Sequence, residues 1–161
     1  MNKIVMMLGL VLAALQVNAE GVDTKQIYFG GGLGLNDANF GDSAIGFQVF
    51  AGLPIPIKND NMDLLVEVGY MDTGNFERSL PFTSNATAKA KANGLWGTAV
   101  ASIPMKDKVD VLARVGLDIG DDDGVMIGAG VGFEMSSSMD LRVEYVMRDT
   151  IDSFQVNLVI R

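Results

Sequence analysis

The stretch GVMIGAGVGFE, residues 124–134, carries glycine at every second position, at Gly128, Gly130 and Gly132. A dinucleotide-binding fingerprint needs a G-x-x-G spacing at the start of a helix, so that backbone amides converge on a phosphate. Here the glycines keep a strict period of two and no helix start follows them. We therefore interpret them as the small-residue face of a β-strand, not as a cofactor loop.

The same alternation recurs along the chain after residue 19. From Val109 to Ile119, for example, apolar side chains occupy one face, while Asp110, Arg114 and Asp118 lie on the other. Turn residues separate the runs, and all breaks but one are short enough for antiparallel hairpins. The pattern predicts an all-β fold, an eight-stranded antiparallel up-and-down β-barrel. Its strands are expected near residues 27–35, 44–53, 63–71, 93–103, 109–119, 125–134, 139–148 and 153–161, with the face of 93–103 left open.

The N-terminus has the features of a secretory signal peptide. Lys3 supplies the positive charge, residues 4–16 are uncharged and mostly apolar, and residues 17–19 (VNA) offer a cleavage site. The apolar run is shorter than the about 20 residues that a membrane-spanning helix needs. We expect residues 1–19 to be a signal peptide and residues 20–161 to be the barrel domain; a buried N-terminal helix is the alternative.

Composition excludes several classes of function. The formal net charge is −8, and loss of the signal peptide would make it more negative, which argues against binding to nucleic acid. The chain has no cysteine and no histidine, which excludes disulfides, thiolate zinc sites and Ser-His-Asp or Cys-His catalysis. We therefore expect no enzymatic activity, no cofactor and no metal.

The two faces of the strands indicate which side meets water. One face is mostly glycine with a few charges of both signs, whereas a soluble barrel needs an outer face rich in polar side chains. The other face is almost continuously apolar over about 9–11 residues, the length that a tilted strand needs to cross hydrocarbon. The sequence therefore predicts a transmembrane barrel in the cell outer membrane, with outer-membrane lipids as partners; a soluble ligand-binding barrel is the alternative.

Five charged residues share the glycine-rich face and are expected inside the barrel. A small eight-stranded barrel has room for side chains in its interior, where buried charges must pair. The pairs could form a static plug or a switchable gate for ions. The predicted interior charge network consists of Glu67, Arg114, Glu134, Arg142 and Glu144.

The connections divide into two sets. With eight strands both chain ends lie on the periplasmic side, so residues 36–43, 72–92, 120–124 and 149–152 are expected to form the external loops. The long loop 72–92, with Phe76, Leu80 and Phe82 exposed, is a candidate for contact with a surface ligand. The acidic turn 120–124 could bind a divalent cation, but its spacing differs from a calcium-binding loop and favours an Asp-Gly hairpin turn.

Residues 128–149, GAGVGFEMSSSMDLRVEYVMRD, resemble the closing strands of the outer membrane protein A transmembrane barrel and its opacity-type relatives. Leu141, Arg142, Glu144 and Tyr145 match the L-R-x-E-Y element of that family. The resemblance implies an eight-stranded outer-membrane barrel with Arg142 and Glu144 in its interior network. As a departure from the full-length relative, we expect only the transmembrane barrel, without the peptidoglycan-binding domain.

The chain departs from that family at its last strand. The resemblance implies a terminal aromatic residue that the barrel-assembly machinery reads, but Ile160 takes its place, with Arg161 behind it. Gln155 also stands where the family usually has glycine. The barrel-assembly machinery is nevertheless an expected partner.

Three functions follow as hypotheses. The first is a non-enzymatic outer-membrane barrel that contributes to envelope integrity or surface interaction through its extracellular loops. The alternative is a narrow porin-like channel for ions or small solutes. An enzyme acting on lipid A or phospholipid is not expected, because small barrels with such activities usually use histidine.

Overall fold

The computed structural model describes residues 24–38, 43–57, 61–79 and 87–161, which form a closed β-barrel. Every strand pairs in antiparallel fashion with its neighbours in the chain, and the first pairs with the last. The predicted eight-stranded antiparallel barrel is thus confirmed. A short 3-10 helix (Thr24–Gln26) precedes β1 (Tyr28–Ala38), β2 (Ser43–Ile55), β3 (Asp63–Ser79), β4 (Thr87–Pro104), β5 (Val109–Gly120), β6 (Gly124–Ser136), β7 (Met139–Met147) and β8 (Ile151–Ile160).

The barrel has two distinct ends. The termini end carries Thr24, Arg161 and the β2–β3, β4–β5 and β6–β7 connections, and the loop end carries the other four connections. Assignment of the loop end to the cell exterior remains a prediction. The predicted signal peptide, residues 1–19, lies outside the described residues. None of the helical segments in the described ranges is long and apolar enough to cross a membrane.

The apolar face points outward, as the sequence predicts. Along β2, buried and exposed residues alternate, and Ile45 is 71% exposed. Leu33 on β1 is 63% exposed, so a belt of aliphatic and aromatic side chains surrounds the barrel. On β4, whose face the sequence left open, Trp96 and Val100 point inward and are fully buried.

Glycines on the inner face make room for large side chains from neighbouring strands. A Cβ atom at Gly69 would come within 2.6 Å of the Trp96 ring, and one at Gly52 would collide with the Tyr28 ring. The interior therefore contains aromatic and aliphatic groups as well as charges. Its main apolar cluster comprises Tyr28, Phe50, Leu65, Met71, Trp96, Val100, Leu112, Met126, Val146 and Val159.

The prediction of a loop at residues 72–92 is wrong for most of that range, because β3 and β4 continue into it. β3 runs 17 residues and β4 runs 18, so both continue well past the barrel wall as a two-stranded hairpin. Only residues 80–86 separate them, and these lie outside the described part of the chain. A register shift between Asp72 and Asn75 breaks the period of two, and Gly74 adopts a positive φ of 78° there. This break hid the continuation of the strand in the sequence.

Candidate functional site: two polar layers inside the barrel

Glu67 on β3 is the centre of a buried charge cluster. Its Oε1 atom accepts a hydrogen bond from Arg142 Nη1 at 2.5 Å and another from the Tyr28 hydroxyl at 2.7 Å. Its Oε2 atom lies 3.3 Å from Arg114 Nη2. The carboxylate of Glu67 therefore connects β3 with β1, β5 and β7.

Arg114 carries the cluster on to Glu144. The Nε and Nη2 atoms of Arg114 lie 2.8 Å and 2.5 Å from Glu144 Oε2. The guanidinium of Arg114 also packs over the Trp96 ring, with 5.7 Å between the carbon of the group and the ring centroid. The four charged side chains are at most 3% exposed, and their formal charges cancel. We call Tyr28, Glu67, Arg114, Arg142 and Glu144 the inner ionic layer.

Each charged member of this layer stands opposite a glycine on the neighbouring strand. The glycines of the stretch 124–134 provide three of the four partners. A Cβ at Gly130 would come within 2.7 Å of Glu144 Cγ and would also collide with the Val143 carbonyl oxygen. The alternating glycines therefore leave space for long ionic side chains. The Cα pairs are Glu67 with Gly52, Arg114 with Gly128, Arg142 with Gly132 and Glu144 with Gly130.

Glu134 does not belong to this layer, which corrects the sequence-based expectation. Its carboxylate accepts a hydrogen bond from Lys108 Nζ at 3.1 Å near the termini end, and its side chain is 45% exposed. A period of two assigns a residue to a face but not to a depth. Glu134 has the inward parity, but it lies where β6 reaches the turn and the register shifts before Ser136.

Neutral amides fill the β2 and β8 side of the interior. Gln48 Nε2 donates to Gln155 Oε1 and to Asn157 Oδ1, both at 2.7 Å. Asn157 Nδ2 in turn donates to Glu144 Oε1 at 3.4 Å, which links the amides to the inner ionic layer. These amides were not among the predicted site residues, although their parity on the strands could have found them. The Gln155 side chain is buried in the interior and accepts a hydrogen bond from Gln48, which explains why glutamine stands where the resembling family usually has glycine.

A second polar group lies nearer the loop end. Arg148 Nε donates to Asp118 Oδ2 at 2.8 Å, and Arg148 Nη1 donates to Ser153 Oγ at 2.8 Å. Ser153 Oγ then donates to Asn36 Oδ1 at 2.6 Å. All four residues are buried. We call Asn36, Asp118, Arg148 and Ser153 the outer polar layer; the same parity rule places them inside, but they were not predicted as site residues.

The acidic turn 120–124 ties neighbouring connections together. Asp121 Oδ2 accepts from the Asn93 backbone amide at 3.0 Å, which joins the turn to β4. Asp122 Oδ1 accepts from the backbone amide of Thr150 at 3.1 Å and also from its hydroxyl. Within the described ranges, no group of three or more acidic residues is arranged to hold a metal ion. The carboxylates of Asp121 and Asp122 therefore connect the 120–124 turn to β4 and to the β7–β8 connection by hydrogen bonds.

Comparison with known proteins agrees with this architecture. The backbone structure of the Yersinia pestis outer membrane protein Ail in a nanodisc has a TM-score of 0.57 and 12% identity, covering 83% of this chain and 98% of that one. A designed transmembrane β-barrel has a TM-score of 0.51 and 15% identity, covering 87% and 98%. At these identities the likeness shows the fold alone. Among curated proteins, no sequence matches this chain.

The sequence also matches a family model over nearly its whole length. Residues 5–159 match the outer membrane protein beta-barrel domain. That match agrees with the outward apolar belt and the closed barrel of eight strands. The chain therefore belongs to the outer membrane protein β-barrel domain family, and it is a transmembrane β-barrel protein of the outer membrane.

Proposed function

We propose that this protein is a non-enzymatic barrel with a closed interior, which serves the envelope through its outer surface and its loop end. The observation that carries the proposal is the inner ionic layer. Four charged side chains at most 3% exposed meet across the lumen and neutralise one another. Removal of one partner from such a cluster leaves a buried charge uncompensated, at a cost of about 3–5 kcal/mol. A passage for ions through this layer would require such unpairing.

The β3–β4 hairpin is the part of the loop end best placed for surface contact. Its strands have 17 and 18 residues, whereas about 9–11 suffice to cross the hydrocarbon. The remaining length extends beyond the apolar belt, which ends on β3 at Tyr70. In this proposal the hairpin takes over the role that the sequence assigned to a loop at 72–92.

The charge of the loop end bears on the class of partner. Ail has been solved in complex with the heparin analogue sucrose octasulfate, a polyanion. In this chain the three shorter connections of the loop end, residues 36–43, 120–124 and 149–152, carry aspartates and no lysine or arginine, so a sulfated ligand would be repelled there. We therefore propose a cationic or neutral partner instead. The carboxylates concerned are those of Asp37, Asp121, Asp123, Asp149 and Asp152.

Conductance in planar lipid bilayers tests the closed interior. The protein is refolded in detergent, and a band that shifts on boiling identifies the folded barrel before reconstitution. We expect only rare, small openings. A stable open level with defined ion selectivity would contradict the proposal and would support the narrow channel instead.

Calorimetric titration tests the class of partner, with sucrose octasulfate and spermine as the two probes. We expect no binding of sucrose octasulfate at low ionic strength, and weak binding of spermine that disappears at high salt. Saturable binding of sucrose octasulfate would contradict the proposed partner class without bearing on whether the interior is closed.

A further inference from the structure

β3 bends inward over the barrel at the register shift. A Cβ at Gly46 on β2 would collide with the Asp72 carbonyl oxygen and approach the Thr73 carbonyl carbon within 2.6 Å. A Cβ at Gly74, where φ is 78°, would collide with the Ile45 carbonyl oxygen. The backbone of residues 72–74 therefore lies directly against the backbone of β2, across a position that must be glycine.

Side-chain hydrogen bonds hold this bend in place of ladder bonds. Asn36 Nδ2 on β1 reaches past β2 and donates to the Thr73 carbonyl oxygen at 3.0 Å. Thr73 Oγ1 donates to the Ala92 carbonyl oxygen at 2.9 Å and accepts from the Ala92 amide at 3.0 Å. Beyond the bend, the described residues of the hairpin pair with no other strand, because β2 pairs with β3 only as far as Asp72 and β5 pairs with β4 only as far as Gly94.

Phe76 uses this bend to enter the mouth of the barrel. The sequence predicts an exposed side chain, but Phe76 is only 2% exposed, and this is a correction. It packs with small apolar residues from β1, β2 and β4 and with one isoleucine from β8. We call Ala38, Ala44, Phe76, Ala92 and Ile151 the mouth cluster.

The outer polar layer lies directly beneath the mouth cluster. Ala38 and Ile151 are Cα partners, and Asn36 and Ser153 occupy the next inward positions on the same two strands. In that layer Asp118 Oδ1 and Arg148 Nη2 have no hydrogen-bond partner among the described residues, although both are buried. Hydration of these two atoms would be favourable, whereas the burial of the apolar Phe76 ring above them is favoured by exclusion of water. The mouth cluster therefore favours a closed mouth, and the unpartnered polar atoms favour an open one.

We propose that the β3–β4 hairpin is a latch on the loop end of the barrel. Residues 72–79 and 87–92 close the mouth through Phe76, and they swing away at the Gly74 bend while the eight-stranded wall stays intact. Release admits water and small solutes as far as the outer polar layer. The inference goes beyond the proposed function, which concerns the inner ionic layer below.

Cysteine labelling tests the latch, because the natural chain has no cysteine. Ala38→Cys places a thiol in the mouth, and Val100→Cys places one in the main apolar cluster, beside Arg114 of the inner ionic layer. Reaction with a water-soluble maleimide is timed in the refolded barrel, alone and combined with Phe76→Ala. We expect the thiol at 38 to react at least about tenfold faster with Phe76→Ala, the change that about 1.4 kcal/mol produces. The thiol at 100 stays protected.

Phe133→Ala is the matched control, since Phe133 is a phenylalanine on the lipid-facing side, and it leaves both rates unchanged. Phe76→Leu keeps an apolar side chain and restores most of the protection at 38. The latch is wrong if Phe76→Ala leaves the rate at 38 unchanged, or if the rates at 38 and 100 rise together. Bilayer conductance stays unchanged with Phe76→Ala, because the inner ionic layer remains closed, so failure of the latch and failure of the closed interior give different results.

Discussion

The inner ionic layer and the mouth cluster close the same lumen by different chemistry. The ionic layer draws its charges from β3, β5 and β7, within stretches that pair with strands on both sides. The mouth cluster depends on Phe76, which stands on a hairpin whose described residues beyond the bend pair with no other strand. One closure is part of the barrel wall, and the other is attached to the wall by a bend.

The difference shows how directionality and support work together. Buried ion pairs require defined distances, and β-strands within the wall provide them. Opening such a layer would leave unpaired charges in the low-dielectric interior of the barrel. An apolar cluster has no preferred direction, so it can be taken apart and formed again with little precision. A barrel built in this way combines a permanent closure in its middle with a releasable one at its mouth.

Removal of Glu67 tests the inner ionic layer, the permanent closure, and has the largest expected effect. Glu67→Ala leaves Arg142 and the Tyr28 hydroxyl without their acceptor. We expect the free energy of unfolding to fall by about 3–5 kcal/mol, as for other buried pairs that lose one partner. Urea unfolding in lipid vesicles, followed by fluorescence of the single tryptophan, measures the change.

Glu134→Ala is the matched control for this experiment. Glu134 has the same chemistry and inward parity but pairs with Lys108 at the surface, where such bridges contribute about 0–1 kcal/mol. Equal losses for the two variants would show that burial of the ionic layer contributes nothing to stability. That result would remove the contrast between the two closures.

Gly130 tests whether the glycine face is needed by the ionic layer. Gly130→Ala adds a methyl group within 2.7 Å of Glu144 Cγ and against the backbone of Val143, so we expect a loss of about 1–3 kcal/mol from overpacking. Gly132→Ala is the control, since its nearest contact, Asp110 Cβ, is at an ordinary 3.6 Å. The same urea measurement compares them, and a neutral Gly130→Ala would contradict the space argument.

The period of two predicted much of this architecture, including the inward face of Glu67, Arg114, Arg142 and Glu144. It could not predict depth, which is why Glu134 was placed in the interior network. Nor could it find Phe76, because the shifted register at Gly74 changes the parity of every later position on that strand. Patterns of this kind are local, whereas depth and bends depend on pairing with distant strands.

The amide side of the interior shows a different limit. Gln48, Gln155 and Asn157 have inward parity in the sequence, but parity does not tell which buried amide bonds to which. The two hydrogen bonds that Gln48 donates join residues 107 and 109 positions apart. Such contacts follow from closure between β1 and β8 and have no local signal.

Gly46 offers a test on the releasable side, with a smaller effect on the whole barrel. Gly46→Ala drives a methyl group into the backbone of residues 72–73, so we expect the hairpin to lift while the wall remains folded. Amide hydrogen exchange at Ala92, whose amide bonds to Thr73 Oγ1, should rise by about tenfold or more. Gly34, the Cα partner of Gly46, has no contact closer than 3.4 Å, and Gly34→Ala should leave that exchange unchanged. Equal exchange in the two variants would mean that the close crossing does not seat the hairpin.

The ion pair between Asp72 and Lys91 at the base of the hairpin has the smallest expected effect. The hydrogen bond from Lys91, at 2.6 Å, lowers the pKa of Asp72 below its ordinary 3.8. Because the folded-state pKa is depressed, the pair stabilises the hairpin at pH values above the unfolded-state pKa. This stabilisation is lost as pH falls through the folded-state pKa. NMR titration of the Asp72 carboxyl carbon should show a return toward 3.8 in Lys91→Met, but no change in Lys106→Met at the termini end. The Lys91 side chain is 47% exposed and that of Asp72 is 12% exposed, so high salt should diminish the shift in part. A shift that persisted in Lys91→Met would be assigned to the Gly74 amide, the other hydrogen-bond donor to Asp72, and so to the bend itself.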